Sequence, residues 1–366
     1  MGRATAQRTP FDGAFRAIAG AAFEVVDGWE TARDFGNPVA EHRAVREGCG
    51  VWDASPLLKW DVRGPGAALA VERFFTNEMG TLQRGQLRYG AFCDDAGMML
   101  GDGIAFRFAE QEFGLVTRLE TDGEAFAEAA GDAEYELKDV TADAPHLQLQ
   151  GPDSRAVLEA LARRELSGLR YYRFLPEPVL VGGVPVSIAR CSYTGELGYE
   201  LYTEPAHAAR LLDAIIGTRR VRPYGMRAME TLRREAGLIL LGIDFEPGAS
   251  DPFELGLDRV VRLAKPAFRG RDALIRRSAR GLARRVASRV MDGTEPPAPG
   301  AVVRASGRAG GEGRRAGPAP TVGRPVALAV LEAAEIEVGR QVEIAGLGAR
   351  VTTHPAYDPE KLRPRS

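Results

Sequence analysis

Cysteine pairs, lysine, net charge and long apolar runs are all scarce in this chain of 366 residues, and each shortage excludes something. The three cysteines, Cys49, Cys93 and Cys191, are odd in number and form no Cys-x-x-Cys pair, and the four histidines are dispersed. That pattern argues against a disulfide framework and a zinc site, and a reducing cytoplasmic setting with no metal is expected. Lys and Arg total 48 against 50 Asp and Glu, a net charge of −2, so no whole-chain field gathers nucleic acid or anionic lipid. Neither class of partner is expected. Only four cationic residues are lysines, Lys59, Lys138, Lys265 and Lys361, a bias that carries no mechanism. No run approaches the roughly 18 apolar residues of a membrane span. Residues 1–22 include Arg3, Arg8, Asp12 and Arg16 and never build the apolar stretch of about 7–15 residues that a signal peptide needs.

What is present reads as an ordinary globular chain, 45% hydrophobic and 27% charged, and too long for one core, since cores stop growing near about 250–300 residues. Three zones appear. From about Phe11 to Lys138, short strand-like runs such as Trp60-Asp61-Val62 and Gly103 to Phe108 alternate with helical stretches. Among the latter, an amphipathic helix is expected over Ala67 to Asn77, after the turn Gly64-Pro65-Gly66. Near Ala144 a second zone opens with the strand His146-Leu147-Gln148-Leu149-Gln150, the turn Gly151-Pro152 and a helix over Ser154 to Arg163. The repeated strand, Gly-Pro and helix order hints at two related α+β halves. Thr294 to Arg324, crowded with Gly, Pro, Ala and Arg and lacking a period, reads as loop or mobile linker, with Arg304 to Arg324 mobile and peripheral. Beyond it Val326 to Leu331, Glu335 to Ile344 and Ala349 to Thr353 read as strands of a small antiparallel barrel or sheet.

The most informative stretch chemically is Tyr193-Thr194-Gly195-Glu196-Leu197-Gly198-Tyr199-Glu200. Glycines at 195 and 198 permit a tight turn and close backbone approach, with Tyr193 and Glu200 flanking it. A buried carboxylate there would accept two hydrogen bonds from a planar heterocycle with amide-like N–H donors. A plain hairpin with solvated acids fits the same pattern.

These residues resemble the Tyr-Thr-Gly-Glu-x-Gly-aromatic-Glu signature of the aminomethyltransferase family, which includes the glycine cleavage T-protein and the folate domains of dimethylglycine- and sarcosine-oxidising enzymes. Other motifs follow in the family's order: Trp52-Asp53-Ala54-Ser55, Thr76-Asn77, the helix Thr231 to Leu238, Asp251 to Leu257, Phe268-Arg269-Gly270-Arg271 and Pro320-Thr321-Val322-Gly323. The resemblance implies an α+β protein, a three-domain ring around a central folate funnel with a C-terminal antiparallel β-barrel. It places a body at 1–278, of two interwoven α+β domains with the second inserted at about 56–143, and a barrel domain at 279–366 carrying the loop 294–324. It also implies tetrahydrofolate as cofactor, gripped at the pterin by Glu200 with Tyr193 beside it, and Arg233 and Tyr89 lining the site. For Arg233 a helix-surface ion pair with Glu230 or Glu235 is the competing reading, and for Tyr89 an edge-of-core aromatic.

The stretch Cys93 to Phe106 resembles the family hairpin whose second aspartate is the acid/base, and alignment on Gly97 puts that role on Asp102. Desolvation would raise its pKa toward use, although a residue between Gly101 and Gly103 also suits a turn. The chain departs from the family pattern at Gly101-Asp102-Gly103, at Met98-Met99, at Val116-Thr117-Arg118 in place of Val-Asn-Ala, and at Pro56-Leu57 in place of His-Met. Met98, Thr117, Arg118 and Leu57 are therefore expected on the substrate side, with folate retained and the donor altered. The implied activity is transfer of an aminomethyl or methyl group between tetrahydrofolate and a small amine, ether or sulfonium donor, with a lipoyl carrier protein as partner if the chain is of the glycine-cleavage type. The alternative is a non-catalytic folate-binding protein of the iron–sulfur assembly branch. That branch has Lys-Gly-Cys-Tyr-x-Gly-Gln-Glu, whereas Cys191 here lies in Arg190-Cys191-Ser192-Tyr193.

Overall fold

Leucine alternates with polar residues in His146–Gln150, and in the computed structural model this segment is an interior strand of a sheet. Residues 6–296, 302–305 and 308–366 are described. They fall into two units, the first of Met1–Leu57, Val140–Leu232 and Glu360–Ser366, the second of Leu58–Asp139 and Arg233–Pro359.

In the first unit the strands run in the order Arg222–Pro223, Gly50–Asp53, His146–Gln150, Gly198–Tyr202, Val184–Arg190 and Arg173–Phe174, with Val179–Val181 also beside Val184–Arg190. Among these strands only Arg222–Pro223 pairs in parallel. Because strand side chains alternate between faces, Leu147 and Leu149 point the same way as Tyr199 and Leu201. They pack against Val157 and Leu158 of the helix Ser154–Ala162 and Leu211, Leu212 and Ile215 of the helix Ala208–Gly217. His146, Gln148 and Gln150 occupy the opposite face and are buried as well. One face is thus an apolar core and the other a covered polar surface.

The second unit begins with antiparallel strands in the order Gln86–Cys93, Met99–Ala109, Glu112–Thr117, Leu58–Arg63 and Glu136–Asp139. The helices Ala67–Phe74 and Asp122–Ala130 cover it, through Phe74, Phe75, Phe92, Phe113 and Phe126. The expected echo between the halves is present in the backbone. Gly64 and Gly151, each following a strand and preceding a helix, both have φ +126, a conformation that L side chains rarely adopt.

The second unit also contains the helix Arg271–Arg280 and a closed antiparallel barrel, ordered Arg284–Met291, Val326–Glu332, Arg308–Gly317, Val302–Ala305, Gln341–Ile344 and Leu347–Val351, and returning to Arg284–Met291. Met291, Ala327, Ala329, Leu331, Val342 and Ile344 contribute to its core. The fold is thus mixed α/β with a C-terminal barrel. The loop expected over Thr294 to Arg324 is corrected, because Val302–Ala305 and Arg308–Gly317 are barrel strands. Residues 297–301 and 306–307 lie outside the described residues. The register sets Gly311 against Leu331 and Gly313 against Ala329. Glycine contributes no side-chain period, yet its N–H and C=O pair like any others. The expected strand Glu335 to Ile344 shortens to Gln341–Ile344, after a 3-10 turn at Ala333–Glu335. Among the described residues no helix is long and apolar enough to cross a membrane.

A Cβ at Gly151 would lie 2.3 Å from the Gly48 carbonyl oxygen, on a backbone that alanine adopts only under strain. Gly151→Ala should therefore cost at least about 1–3 kcal/mol in urea unfolding. Gly168→Ala, where a Cβ meets nothing within 4 Å, should cost far less; equal losses at the two positions would contradict this account.

Candidate active site

Four strands of the first unit line up Trp52, Gln148, Glu200 and Ala189 in one cross-strand row. Glu200 is 5% exposed, so it is not the solvated acid of a surface hairpin. Gln148 Nε2 donates to its Oε1 over 3.1 Å and Tyr202 Oη to its Oε2 over 2.6 Å. The buried thiol of Cys191 also hydrogen-bonds to Glu200, and burial together with that carboxylate holds the thiol well above its ordinary pKa. Tyr202 is raised in the same way, burial first and Glu200 second. Its ring stacks on His146 at 4.5 Å. Carboxylates leave water at a cost of several kcal/mol unless donors surround them, and Gln148, Tyr202 and Cys191 are those donors.

The segment before Glu200 is held by Gln150. Its Oε1 accepts from Ser192 Oγ (2.7 Å), Thr194 Oγ1 (3.0 Å) and the Tyr193 N–H (3.3 Å), which sets the place of Tyr193. The two glycines do different jobs. Gly195 has φ +84 and makes the turn, while Gly198 is a strand residue whose Cβ would stand 2.4 Å from Gln150 Nε2. Glu196 is a buried anchor, bound to Arg46 at 3.0 Å and Arg363 at 3.3 Å.

Asp102 belongs to the second unit. It lies within the strand Met99–Ala109 opposite Ala91, not in a turn; the turn is Asp94 to Gly97. Gly101 and Gly103 carry no positive φ, so the expected backbone freedom is not their reason. A Cβ at Gly101 would meet the Phe92 ring at 2.5 Å, and one at Gly103 the Val116 carbonyl oxygen at 2.6 Å. Both are close-packing positions on the face opposite the carboxylate. Tyr89 Oη donates to Asp102 Oδ2 over 2.8 Å, so Tyr89 is a partner of the acid rather than a core-edge aromatic. Burial pushes the Asp102 carboxyl up from 3.8 to about 6; the Tyr89 hydrogen bond and the Arg118 cation oppose that rise and the Asp122 carboxylate adds to it.

The other expected site residues scatter. Asp122, the first residue of its helix, accepts the N–H groups of Arg118 (3.0 Å) and Leu119 (2.8 Å), fixing the backbone from which Arg118 extends. Thr117 Oγ1 accepts from Trp60 Nε1 at 2.9 Å and hydrogen-bonds to Asp122, so its hydroxyl serves the packing of that helix. The sulfur of Met98 lies 3.0 Å from Arg277 Nη2. Leu57, in the first unit, is half-buried in a turn closed on Ala54. Arg233 is fully buried and bonded to Asp244 and the Leu238 carbonyl, so it does not lie on a helix surface. Gln148, Gln150, Tyr202 and Asp122 were missed. The signal for the glutamines was the polar alternation of His146–Gln150, read only as a strand; Tyr202 and Asp122 carried none.

Comparison with known proteins gives a consistent answer. The sequence matches the GCVT N-terminal domain over residues 15–265 and the glycine cleavage T-protein C-terminal barrel domain over 284–358. It is 34% identical over 363 residues to a protein of Streptomyces coelicolor named aminomethyltransferase, covering 96% of this chain and 95% of that one. It is also 36% identical over 351 residues to a Ruegeria pomeroyi protein named trimethylamine-oxide aldolase, covering 90% of this chain but 44% of the relative. Among solved structures, the glycine cleavage system aminomethyltransferase T of Bartonella henselae superimposes with a TM-score of 0.88 at 26% identity, covering 97% of this chain and 99% of that one.

A carboxyl raised from 3.8 to about 6 binds its proton more tightly in the folded than in the unfolded chain, so its contribution to stability falls as pH rises through that window. The stability of the wild type relative to Asp102→Asn should decline between pH 3.8 and about 6 and level off above it, measured by urea unfolding at each pH. A difference that stays constant across the window would show that Asp102 has an ordinary pKa.

Proposed function

Because the chain belongs to the glycine cleavage T-protein family, with both the N-terminal domain and the C-terminal barrel domain, we propose that it transfers a one-carbon unit between tetrahydrofolate and a small donor. The observation that carries the catalytic part is Asp102, a carboxyl with its pKa near 6, hydrogen-bonded to Tyr89. A group so placed gives or takes a proton near neutrality, as a general acid/base must.

The residues of the first unit fit a pterin. Its flat edge is rich in N–H donors, and the Glu200 row offers a buried carboxylate beside a buried amide oxygen, Gln148 Oε1, that has no partner among the described residues. Glu200 would accept from the heterocycle's N–H groups, while Tyr202 and Cys191 hold the carboxylate in place. Tetrahydrofolate, when bound, supplies nitrogen atoms that carry the one-carbon unit. The Asp102 carboxyl would exchange a proton with the amine at the reacting carbon, while the Tyr89 hydroxyl on its Oδ2 keeps it oriented.

For the donor, the half-buried Arg118, standing where T-proteins carry an alanine, supports a specialised substrate, such as a methylated amine, over an aminomethyl group delivered on a lipoyl carrier protein. The relatives carry both kinds of name, aminomethyltransferase and trimethylamine-oxide aldolase. A non-catalytic reading is opposed by Cys191, whose thiol is buried and tied to Glu200 where the iron–sulfur branch has its motif.

Titration calorimetry with tetrahydrofolate should show binding that Glu200→Gln weakens by about 1–3 kcal/mol, since a charge-assisted pair becomes a neutral one. In assays with tetrahydrofolate against methylated amines and an aminomethyl-loaded lipoyl carrier protein, Asp102→Asn should lose about 10²–10⁴-fold in turnover with folate affinity little changed. Unchanged folate affinity in the Gln variant would remove Glu200 from the site, and wild-type turnover in the Asn variant would remove Asp102 from the chemistry.

A further inference from the structure

Gln148 has an unusual position in the polar row. It stands between Trp52 and Glu200 and is 2% exposed. Its Nε2 donates to Glu200 Oε1 at 3.1 Å, while its Oε1 is buried and receives no hydrogen bond from the described residues. Rotating the amide would not cure this, because it would press a carbonyl oxygen against the carboxylate and lose the donor. Glu200 thus sets the orientation of the amide, and the vacant acceptor follows from it. Buried acceptors without donors are uncommon and costly.

We propose that Gln148 is a specificity-determining residue that accepts a hydrogen bond from the 2-amino group of the pterin, beside the contact made by Glu200. This rests on the reading that tetrahydrofolate binds at Glu200. The aminopyrimidinone edge carries three hydrogens on nitrogen, one on the ring and two on the exocyclic amine. A carboxylate accepting bidentately satisfies the ring N–H and one amine hydrogen, which leaves the second amine hydrogen directed outward. Gln148 lies one strand away in the same row, a spacing of about 4.7–4.9 Å, and presents an acceptor there. A heterocycle lacking the amine would leave Gln148 Oε1 unsatisfied, and that kind of mismatch discriminates strongly.

The test measures affinities of the full chain by calorimetry for tetrahydrofolate and for its 2-desamino-2-methyl counterpart. Wild type should prefer tetrahydrofolate. Gln148→Leu should weaken tetrahydrofolate about 10–100-fold while changing the methyl analogue little, so the preference collapses. Gln148→Asn, which withdraws the carbonyl by one methylene, should reduce the preference in the same direction and serves if the Leu variant does not fold. An unchanged ratio of affinities overturns the proposal and makes Gln148 a positioning residue for Glu200 alone. Failure of the wild type to bind tetrahydrofolate overturns the functional reading itself, and the two failures are thereby told apart.

Discussion

A carboxylate kept out of water on the polar face of a sheet is the constraint on which the first unit depends. Glu200 is tolerated there because Gln148 and Tyr202 each donate to one of its oxygens and Cys191 adds a third donor. Those donors occupy fixed places on neighbouring strands, so the register of His146–Gln150 against Gly198–Tyr202 cannot slip by one residue. A slip would turn Leu147 and Leu149 toward the carboxylate and drive the glutamines into the core of Val157, Leu158 and Leu212. Core and polar face therefore specify each other.

Asp102 shows the opposite solution for a carboxyl. The Tyr89 phenol and a backbone N–H donate to it, yet burial dominates and pushes its pKa up to about 6. Two acids of similar chemistry thus differ through their surroundings, one held by side-chain donors on both oxygens and the other raised in pKa by burial. The support around Asp102 extends to Asp122, which fixes the backbone at Arg118 and Leu119 while Thr117 and Trp60 tie its helix to the sheet.

Glycine enables both arrangements by being small more often than by being flexible. Gly198 makes room for the Gln150 amide, and Gly101 lets the Phe92 ring lie across the strand. Gly103 allows the Val116 carbonyl to approach. None of the three has a positive φ, in contrast to Gly64, Gly151 and Gly195, where the turn requires it.

Much of the molecule was legible in the residues themselves. The Gly-Pro turns, the helices at Ala67–Phe74 and Ser154–Ala162 and the strand His146–Gln150 follow from local pattern. The glycine-rich barrel strand Arg308–Gly317 did not, because a chain without side-chain alternation shows its pairing only when partners are present. Nor did the partners of the charged groups. That Arg233 is buried against Asp244, that Tyr89 holds Asp102, and that Gln148 faces Glu200 with an open acceptor are consequences of which strands and loops meet. The sequence alone determined which residues could bear chemistry and where the chain could turn. Only the tertiary structure decided which acid is clasped by donors and which has its pKa raised by burial, because desolvation and hydrogen bonding depend on neighbours in space, and a protonation equilibrium responds to those and not to the order of residues.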